Sequence, residues 1–565
     1  MRILPLAVLT LISAGILWSV LGASQAADST LAELPRDYVD TRYIEPDGQV
    51  LRLAAGDDLQ RALNLAQPGD VIELEAGAVF IGPFTLPDKP AVASGSPWII
   101  IRSSEMNRLP GETERVTPAD AALMPRLVAS YGSVISTEPG AHHYRFMGVE
   151  ITPANSADRS AMEILRSVPA ILRGNTRVTG QGVFLTNLVL LGDGEASVEE
   201  LPHHLIFDRC YIHGDPLLGA RRGVALNSRS SAVINSHLSD FKEVGADSQA
   251  IAGWNGPGPF AIINNYLEGA GENLMFGGAQ SSISQLVPAD IEVKGNHFHK
   301  PLQWREGDDA YAGVPWSVKN IFELKNARRV LVEGNLLEHN WPDSQNGFAI
   351  LFTVRNEGGT MPWAVVEDVT FRHNVVRNVG SGFNLLGRDD NGRPSQPTAR
   401  IHIDNNLFVG LGGSWGAGSF LQMLDGVRQV RVSRNTILNE GQLVFVEGEP
   451  IEGFEFLNNI ASHGNYGISG SGTAPGSETQ ARYLPSSSIR NNLIIGGRMQ
   501  LYPDSNRFPL DLSQVGFIDA EAGNFRLQDT SRFRDGDTEA TGVDLDLLCT
   551  ALSRRERDLL CVPQE

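Results

Sequence analysis

Residues 260–267 read FAIINNYL, and the same phrase keeps returning down the chain. It reappears as IEVKGNHF (291–298), VLVEGNLL (330–337), VTFRHNVV (369–376) and IHIDNNLF (401–408), then as VRVSRNTI (430–437), FEFLNNI (454–460) and SSIRNNLI (487–494). Each copy is a short apolar alternation, two residues, an asparagine and a second apolar pair. The asparagines are Asn265, Asn296, Asn335, Asn374, Asn406, Asn435, Asn459 and Asn492, separated by steps of 31, 39, 39, 32, 29, 24 and 33 residues. A unit of this length cannot bury its own apolar face and must stack on its neighbours. The pattern predicts an all-β solenoid in which each coil supplies short strands to a shared core.

Composition agrees. The chain has 565 residues, 42% hydrophobic and 20% charged, enough for a long core, and its 59 glycines supply tight turns. A formal charge of −20 argues against nucleic acid as a partner, because phosphate binding needs a basic face. Arg2, the apolar run 3–21 and the small residues before Ala26 predict an export signal over 1–26, cut after Ala26, with an uncleaved anchor as the alternative. No later segment is long and apolar enough to insert in a membrane. The mature protein is therefore expected in the periplasm or outside the cell, as a monomer. Of three cysteines, Cys549 and Cys561 are close enough to pair, a bridge that is possible and not required, and Cys210 falls on a core position.

Residues 27–56 read as an irregular extension, 57–530 as the solenoid and 531–565 as a C-terminal cap or tail. Asp57 to Ala66 predicts an amphipathic helix capped by Asp57, with Leu59, Ala62, Leu63 and Ala66 on one face. In PGDVIELEAGAVFIGPFTL (68–86), Ile72 and Leu74, then Val79 and Ile81, show strand alternation. A helix followed by PGDVIELEAG resembles the opening of secreted right-handed parallel β-helix proteins of the pectate-lyase-like kind. That resemblance implies a right-handed parallel β-helix with an N-terminal capping helix. The stretch RSSEMNRLPGETERVTPAD (102–120) reads as a surface excursion. The recurring asparagines are read as structural, satisfying turn backbone and tolerating its left-handed conformation.

Threading each coil as three strands, with the asparagine closing the second, gives first strands at 224–227, 251–254, 274–277, 322–325, 350–353 and 384–387. Alternation sends Val224, Leu226, Leu274, Phe276, Phe322, Leu324, Ile350 and Phe352 inward, and Asn227, Trp254, Met275, Glu323, Lys325 and Thr353 outward. In pectate-lyase-like proteins ligands lie on the outside of that sheet, so the resemblance implies a site there. Aromatic, amide and charged groups on such a face suit a sugar polymer. Arg222, Asn227, Arg229, Trp254, Asn255, Asn346 and Asn384 are the candidate substrate-binding residues.

Glu323 two residues before Lys325 resembles polysaccharide lyases of the chondroitinase-B and alginate-lyase type, although their longer motif of consecutive glutamates and Lys-Ser is absent. β-Elimination on a uronic-acid polymer needs the sugar carboxylate neutralised, a base for the C5 proton and an acid for the leaving oxygen. Lys325 is the expected base, its proton loosened by nearby cations. Arg355 and Arg388 are expected to serve the carboxylate and the leaving group, and Glu272, Asn273 and Glu323 to hold calcium through oxygen. Two other readings stand beside this one. A glycoside hydrolase would draw two carboxylates from Asp247, Glu272, Glu323, Asp389 and Asp390. A noncatalytic polysaccharide-binding or surface protein would use the sheet as a scaffold.

Overall fold

The computed structural model describes residues 31–91, 96–531, 533 and 542–561. The expected export signal lies outside the described residues.

Three long parallel sheets wrap one core, with 14 strands in sheet A, 13 in sheet B and 12 in sheet C among the described residues. One coil shows the path: Phe260–Ile263 in sheet A, Tyr266–Gly269 in sheet B, Glu272–Phe276 in sheet C, then Ala289–Lys294 back in sheet A. Each strand pairs in parallel with its counterpart one coil on, as in Phe260↔Ile291, Tyr266↔His297 and Leu274↔Phe322. The fold is a right-handed parallel β-helix. The inward residues expected from alternation, Val224, Leu226, Leu274, Phe276, Phe322, Leu324, Ile350 and Phe352, are all fully buried.

The recurring asparagines form a continuous ladder at the turn from sheet A to sheet B. Each backbone N–H donates to the side-chain oxygen one coil on: Asn265 to Asn296 and Asn296 to Asn335 at 2.8 Å, Asn335 to Asn374 at 2.9 Å, and so on through Asn492 to Asn506 at 3.1 Å. Each side-chain amide also donates, as Asn335 Nδ2 does to Val293 O at 2.9 Å. The left-handed backbone does not fall on these asparagines but on the residue before each one, including Asn264 (φ 56°), His373 (φ 56°) and Arg434 (φ 55°). That preceding residue turns the chain, and the turn directs the asparagine into the stack.

The first coil begins earlier than expected, because Val50–Leu53 already pairs with Val71–Leu74 in sheet A. A helix spans Leu59–Leu65. Its N-cap is Asp58, whose carboxylate accepts from Arg61 N, while Asp57 accepts from Ala54 N. Leu59, Ala62 and Leu63 are buried in the core. The Gln60 amide both donates to and accepts from the backbone of Thr85, in the terminal strand of sheet C, and so satisfies that free edge. Phe80 is the inward residue of its strand, in place of Val79 and Ile81, because the turn at Ala76-Gly77 shifts the phase by one.

Two faces of the solenoid are covered by terminal segments. The N-terminal segment lies on sheet A: Glu33 N and Arg36 N donate to Asp368 and Asp290, and Val39 and Tyr43 pack on a patch containing Val71, Trp98, Ile100 and Met147. The C-terminal segment forms helices Leu545–Ala551 and Arg554–Leu560, joined by a Cys549–Cys561 disulfide. It lies along the side of sheet B. The reason is local: the residues after the ladder asparagines of these coils (Leu336, Val375 and Leu407) are apolar and point outward, and Leu545, Leu548 and Leu552 bury that column. The excursion at 102–120 is not wholly surface either, since Arg115 is buried in an ion pair with Glu556 at 2.9 Å.

Candidate functional site

Sheet C carries the polar groups that a solenoid does not need. Its consecutive strands Arg222–Leu226, Gln249–Gly253, Glu272–Phe276, Phe322–Leu324, Phe348–Thr353 and Ser381–Leu386 bring residues more than 150 positions apart onto one surface. At the start of these strands the alternation breaks: Ala250 and Ile251 are consecutive core residues, which leaves Gln249 on the outside. The same register joins Asn187, Arg222, Gln249 and Glu272 in one line. Arg222 donates to Asn187 Oδ1 at 2.9 Å and to Gln249 Oε1 at 2.8 Å, and Gln249 Nε2 donates to Glu272 Oε2 at 2.7 Å.

Glu272 is fully buried, and its other oxygen, Oε1, has no hydrogen-bond partner in the protein. Burial, then the charges of Glu323 and Asp247, push its carboxyl well above the usual range. Nearby stands Lys300, also fully buried, whose ammonium donates to the carbonyls of Gly269, Ala270 (2.9 Å) and Gly271 (3.2 Å). Burial pulls Lys300 below the ordinary lysine value, with Glu272 opposing.

A second line runs through Glu323, which is 2% exposed. Its carboxylate accepts from Thr353 Oγ1 at 3.3 Å and Asn320 Nδ2 at 3.1 Å, and Lys325 Nζ lies 3.6 Å away. Asn320 also donates to Gln345, and its own oxygen has no partner in the protein. Gly277 and Gly278 make room for the lysine stem: a Cβ on Gly277 would stand 3.0 Å from Lys325 Cβ. Burial pulls the Lys325 proton affinity down, but Glu323, Glu272, Asp247 and Glu357 outweigh it and hold the ammonium above its ordinary value. This reverses the expected loosening of its proton, because its neighbours are carboxylates and not cations. Lys319 is itself paired with Asp247.

The remaining candidates divide. Arg222 stands 5.0 Å from the Trp254 ring, and the small residues Ala225, on the strand of Arg222, and Ala252, on the strand that Trp254 follows, are paired in register. Arg355 N donates to Lys325 O, and its guanidinium pairs with Asp390 and, at 3.7 Å, with Asp389. Arg388 is one coil farther on, exposed, donating to Ser395 O at 3.3 Å. Asn384 lies on the outer column of the sheet and accepts from Gln422 at 3.0 Å; Asn346 is exposed on the loop before Phe348–Thr353. Asn227 and Asn255 are each 1% exposed and committed to the scaffold. Asn227 accepts from the N–H groups of Trp254 and Asn255, and Asn255 holds the loop at Ser281 and Ser282. Arg229 is in the turn leading into sheet A, next to His203. Asn273 cannot share an ion with Glu272: its amide donates to Leu267 O and His299 O on sheet B, on the other side of the strand.

Sequence reasoning missed Lys300, Asn320 and Gln345. Lys300 follows a sheet B strand, and nothing in its spacing announces that its ammonium reaches the carbonyls of the turn at Gly269–Gly271, one coil earlier. Asn320 was legible in principle, three residues before Glu323 and in line with Glu272 one coil earlier.

No protein-family model matches the chain, and no curated protein sequence matches it. Among solved structures, the backbone is similar to the catalytic unit of a thermostable GH87 α-1,3-glucanase from Streptomyces thermodiastaticus, with a TM-score of 0.48 and 12% identity over 84% of this chain and 72% of that one. It is similar to the PL6-family alginate lyase AlyGC, with a TM-score of 0.47 and 12% identity over 90% of this chain and 58% of that one. It is also similar to PfbA, a surface adhesin of Streptococcus pneumoniae, with a TM-score of 0.43 and 10% identity over 74% of this chain and 89% of that one. Among the described residues no helix is long and apolar enough to cross a membrane.

Proposed function

We propose that the outer face of sheet C is the active groove of a carbohydrate-active enzyme that cleaves a uronic-acid-containing polysaccharide by β-elimination. One observation carries this reading. Two buried carboxylates, Glu272 and Glu323, sit beside Lys325 on a face where the fold needs no charge, and the cluster keeps oxygens without partners. Unsatisfied buried polar groups cost stability, and functional sites are where proteins tolerate that cost.

The roles follow from position. Arg222 and Trp254 form a flat cationic and aromatic surface for a sugar ring. Lys325 and Arg355, on adjacent coils, face the uronate carboxylate and the leaving oxygen, with Arg388 at the edge of the groove. Lys325 rests as an ammonium, suited to hold the uronate carboxylate or to protonate the leaving oxygen. To take the C5 proton it must first be freed of the surrounding negative charge. The orphaned oxygens of Glu272 and Asn320, with the Glu323 carboxylate, are the donors that suit a hard cation such as calcium. When bound there, calcium would neutralise the uronate and the glutamates that hold the Lys325 proton. The Cys549–Cys561 disulfide suits an oxidising compartment, in keeping with export.

A second reading, hydrolysis, is favoured by Glu272 itself, because a proton-bearing carboxyl next to another carboxylate is the acid–base pairing of glycoside hydrolases. Incubation of the protein with a panel of uronic-acid and neutral polysaccharides, with and without calcium, separates the readings. A rising ultraviolet absorbance from unsaturated uronide ends supports elimination. New reducing ends without that absorbance support hydrolysis. Polymer retained with neither product leaves a binding scaffold and overturns both.

A further inference from the structure

Away from the groove, four histidines meet on the outer side of sheet A. The doublets His142-His143 and His203-His204 open adjacent parallel strands, His142–Met147 and His203–Asp208, with His203 in register with His142. Side chains of successive strand residues normally point to opposite faces. Here His143 and His204 have φ of 58° and 54°, and that left-handed step brings both members of each doublet to one side. His142 stacks on His203 with ring centroids 4.9 Å apart and 10° between planes, and His143 on His204 at 4.4 Å and 9°. Within each doublet the Nδ1 atoms face each other, at 2.8 Å for His142 and His143 and 2.6 Å for His203 and His204. Two nitrogen lone pairs approach that closely only around a shared proton or a cation.

Other coils show what this backbone position holds when its role is structural. Asp290, Arg329, Asp368 and Arg400 occupy the same left-handed step, with φ of 57°, 51°, 58° and 54°. Their charges cancel in ion pairs, Arg329–Asp290 and Arg400–Asp368, each at 2.6 Å. The histidine coils have no such alternation. All four rings are half-buried and so still reachable from solvent, and Trp98 packs edge-on to His143 at 5.2 Å. One nitrogen each from His143, His203 and His204 lie within 4.8 Å of one another. Ligands at metal–nitrogen bonds of about 2 Å stand roughly 3.4 Å apart, so nitrogens at the outer limit of that spacing would draw together by about an ångström on binding.

We propose that this histidine array is a binding site for a divalent late first-row transition metal, with His143, His203 and His204 as ligands and His142 as a fourth ligand or as the hydrogen-bonding support of His143. An all-imidazole donor set suits zinc, copper or nickel and does not suit calcium or magnesium. Arg229 is bridged in register to His203 and brings a cation to this side of the array. Asp88, 3.9 Å from His142 Nε2, is the nearest carboxylate on the other side. The ion would staple two coils on a face remote from the groove.

The test uses the full chain without a polyhistidine tag, stripped with chelator and titrated with zinc chloride by calorimetry. Cobalt(II) absorption serves as a second readout of the ligand geometry. One saturable equivalent is expected. In the double variant His143→Asn/His204→Asn, affinity should fall by at least about tenfold; asparagine tolerates the left-handed backbone. His297→Gln, in the separate group formed with His299 and Glu338, should leave zinc affinity unchanged. If the double variant melts early, His203→Gln, at a regular backbone position, gives the same readout. Absence of saturable zinc binding to the unaltered protein, or equal affinity in the histidine variants, would mean that the array is two hydrogen-bonded imidazole pairs and overturns the proposal.

Discussion

Two buried polar assemblies run along this solenoid, and they are built to opposite standards. In the asparagine ladder every link is closed: each side chain accepts from the backbone of the preceding coil and donates to a carbonyl, and Asn265 through Asn492 are fully buried at no loss of hydrogen bonding. In the sheet C cluster, Glu272 and Asn320 each keep an oxygen without a partner, and like charges crowd Glu272. The ladder is polarity used to specify a fold. The cluster is polarity held against the interests of the fold, which is what a site for a ligand requires.

Four substitutions or conditions would break or sharpen that contrast. The largest effect is expected from Asn335→Leu, which orphans the Asn296 N–H and removes the amide donor from the carbonyl of Val293. Denaturant unfolding should show a loss of about 3–5 kcal/mol. Lys325→Ala should lower polysaccharide turnover by roughly 100-fold or more and also lower stability, because buried Glu323 loses its cation, so turnover is compared with Lys325→Arg, which keeps the charge; full activity in both variants would remove the lysine from the mechanism. Glu272→Gln should abolish turnover and raise the melting temperature, by an equivalent of about 1 kcal/mol, because it relieves repulsion from Glu323 while Lys300 keeps its three carbonyls. A fall in melting temperature would mean that Glu272 is a structural partner of Lys300.

The smallest effect is one of pH. Burial, then Arg115, pushes His237 from 6.5 down to about 3. For Glu333, burial alone would raise the pKa, but His373 and Arg372 hold it at about 2 against an ordinary 4.5. Both groups bind fewer protons folded than unfolded, so their stabilisation is complete above pH 6.5. It is lost first as pH falls from 6.5 towards 3 through His237, then below 4.5 through Glu333. Melting curves across that range should shift downward with acid, and a flat profile would show that these groups stay solvated.

The architecture was legible because it rests on repetition. The spacing of Asn265 to Asn492 located the coils, and alternation assigned the inward residues of sheet C. What remained hidden depends on single departures from the repeat. Gln249 and Glu272 face outward because Ala250 and Ile251 are consecutive core residues, a break with no sequence signature. Asn227 and Asn255 look like ligand-binding amides in sequence and are turn and loop supports in space. The proton affinity of Lys325 depends on which charges surround it, and Glu272, Asp247 and Glu357 reach it from three other segments. The paired doublets His142-His143 and His203-His204 were visible as text, yet their meeting depends on register and on two left-handed residues.

A linear repeat can in principle add coils one after another, each stabilised by the last. The Arg115–Glu556 pair removes that independence. Until the Arg554–Leu560 helix docks, an early excursion holds a cation destined for the interior without its carboxylate partner, so the coils around Arg115 cannot reach their finished state before Glu556 has been made. The molecule is closed into a loop by contact, not by covalent bond, and a clip near its far end would be felt some 440 residues upstream.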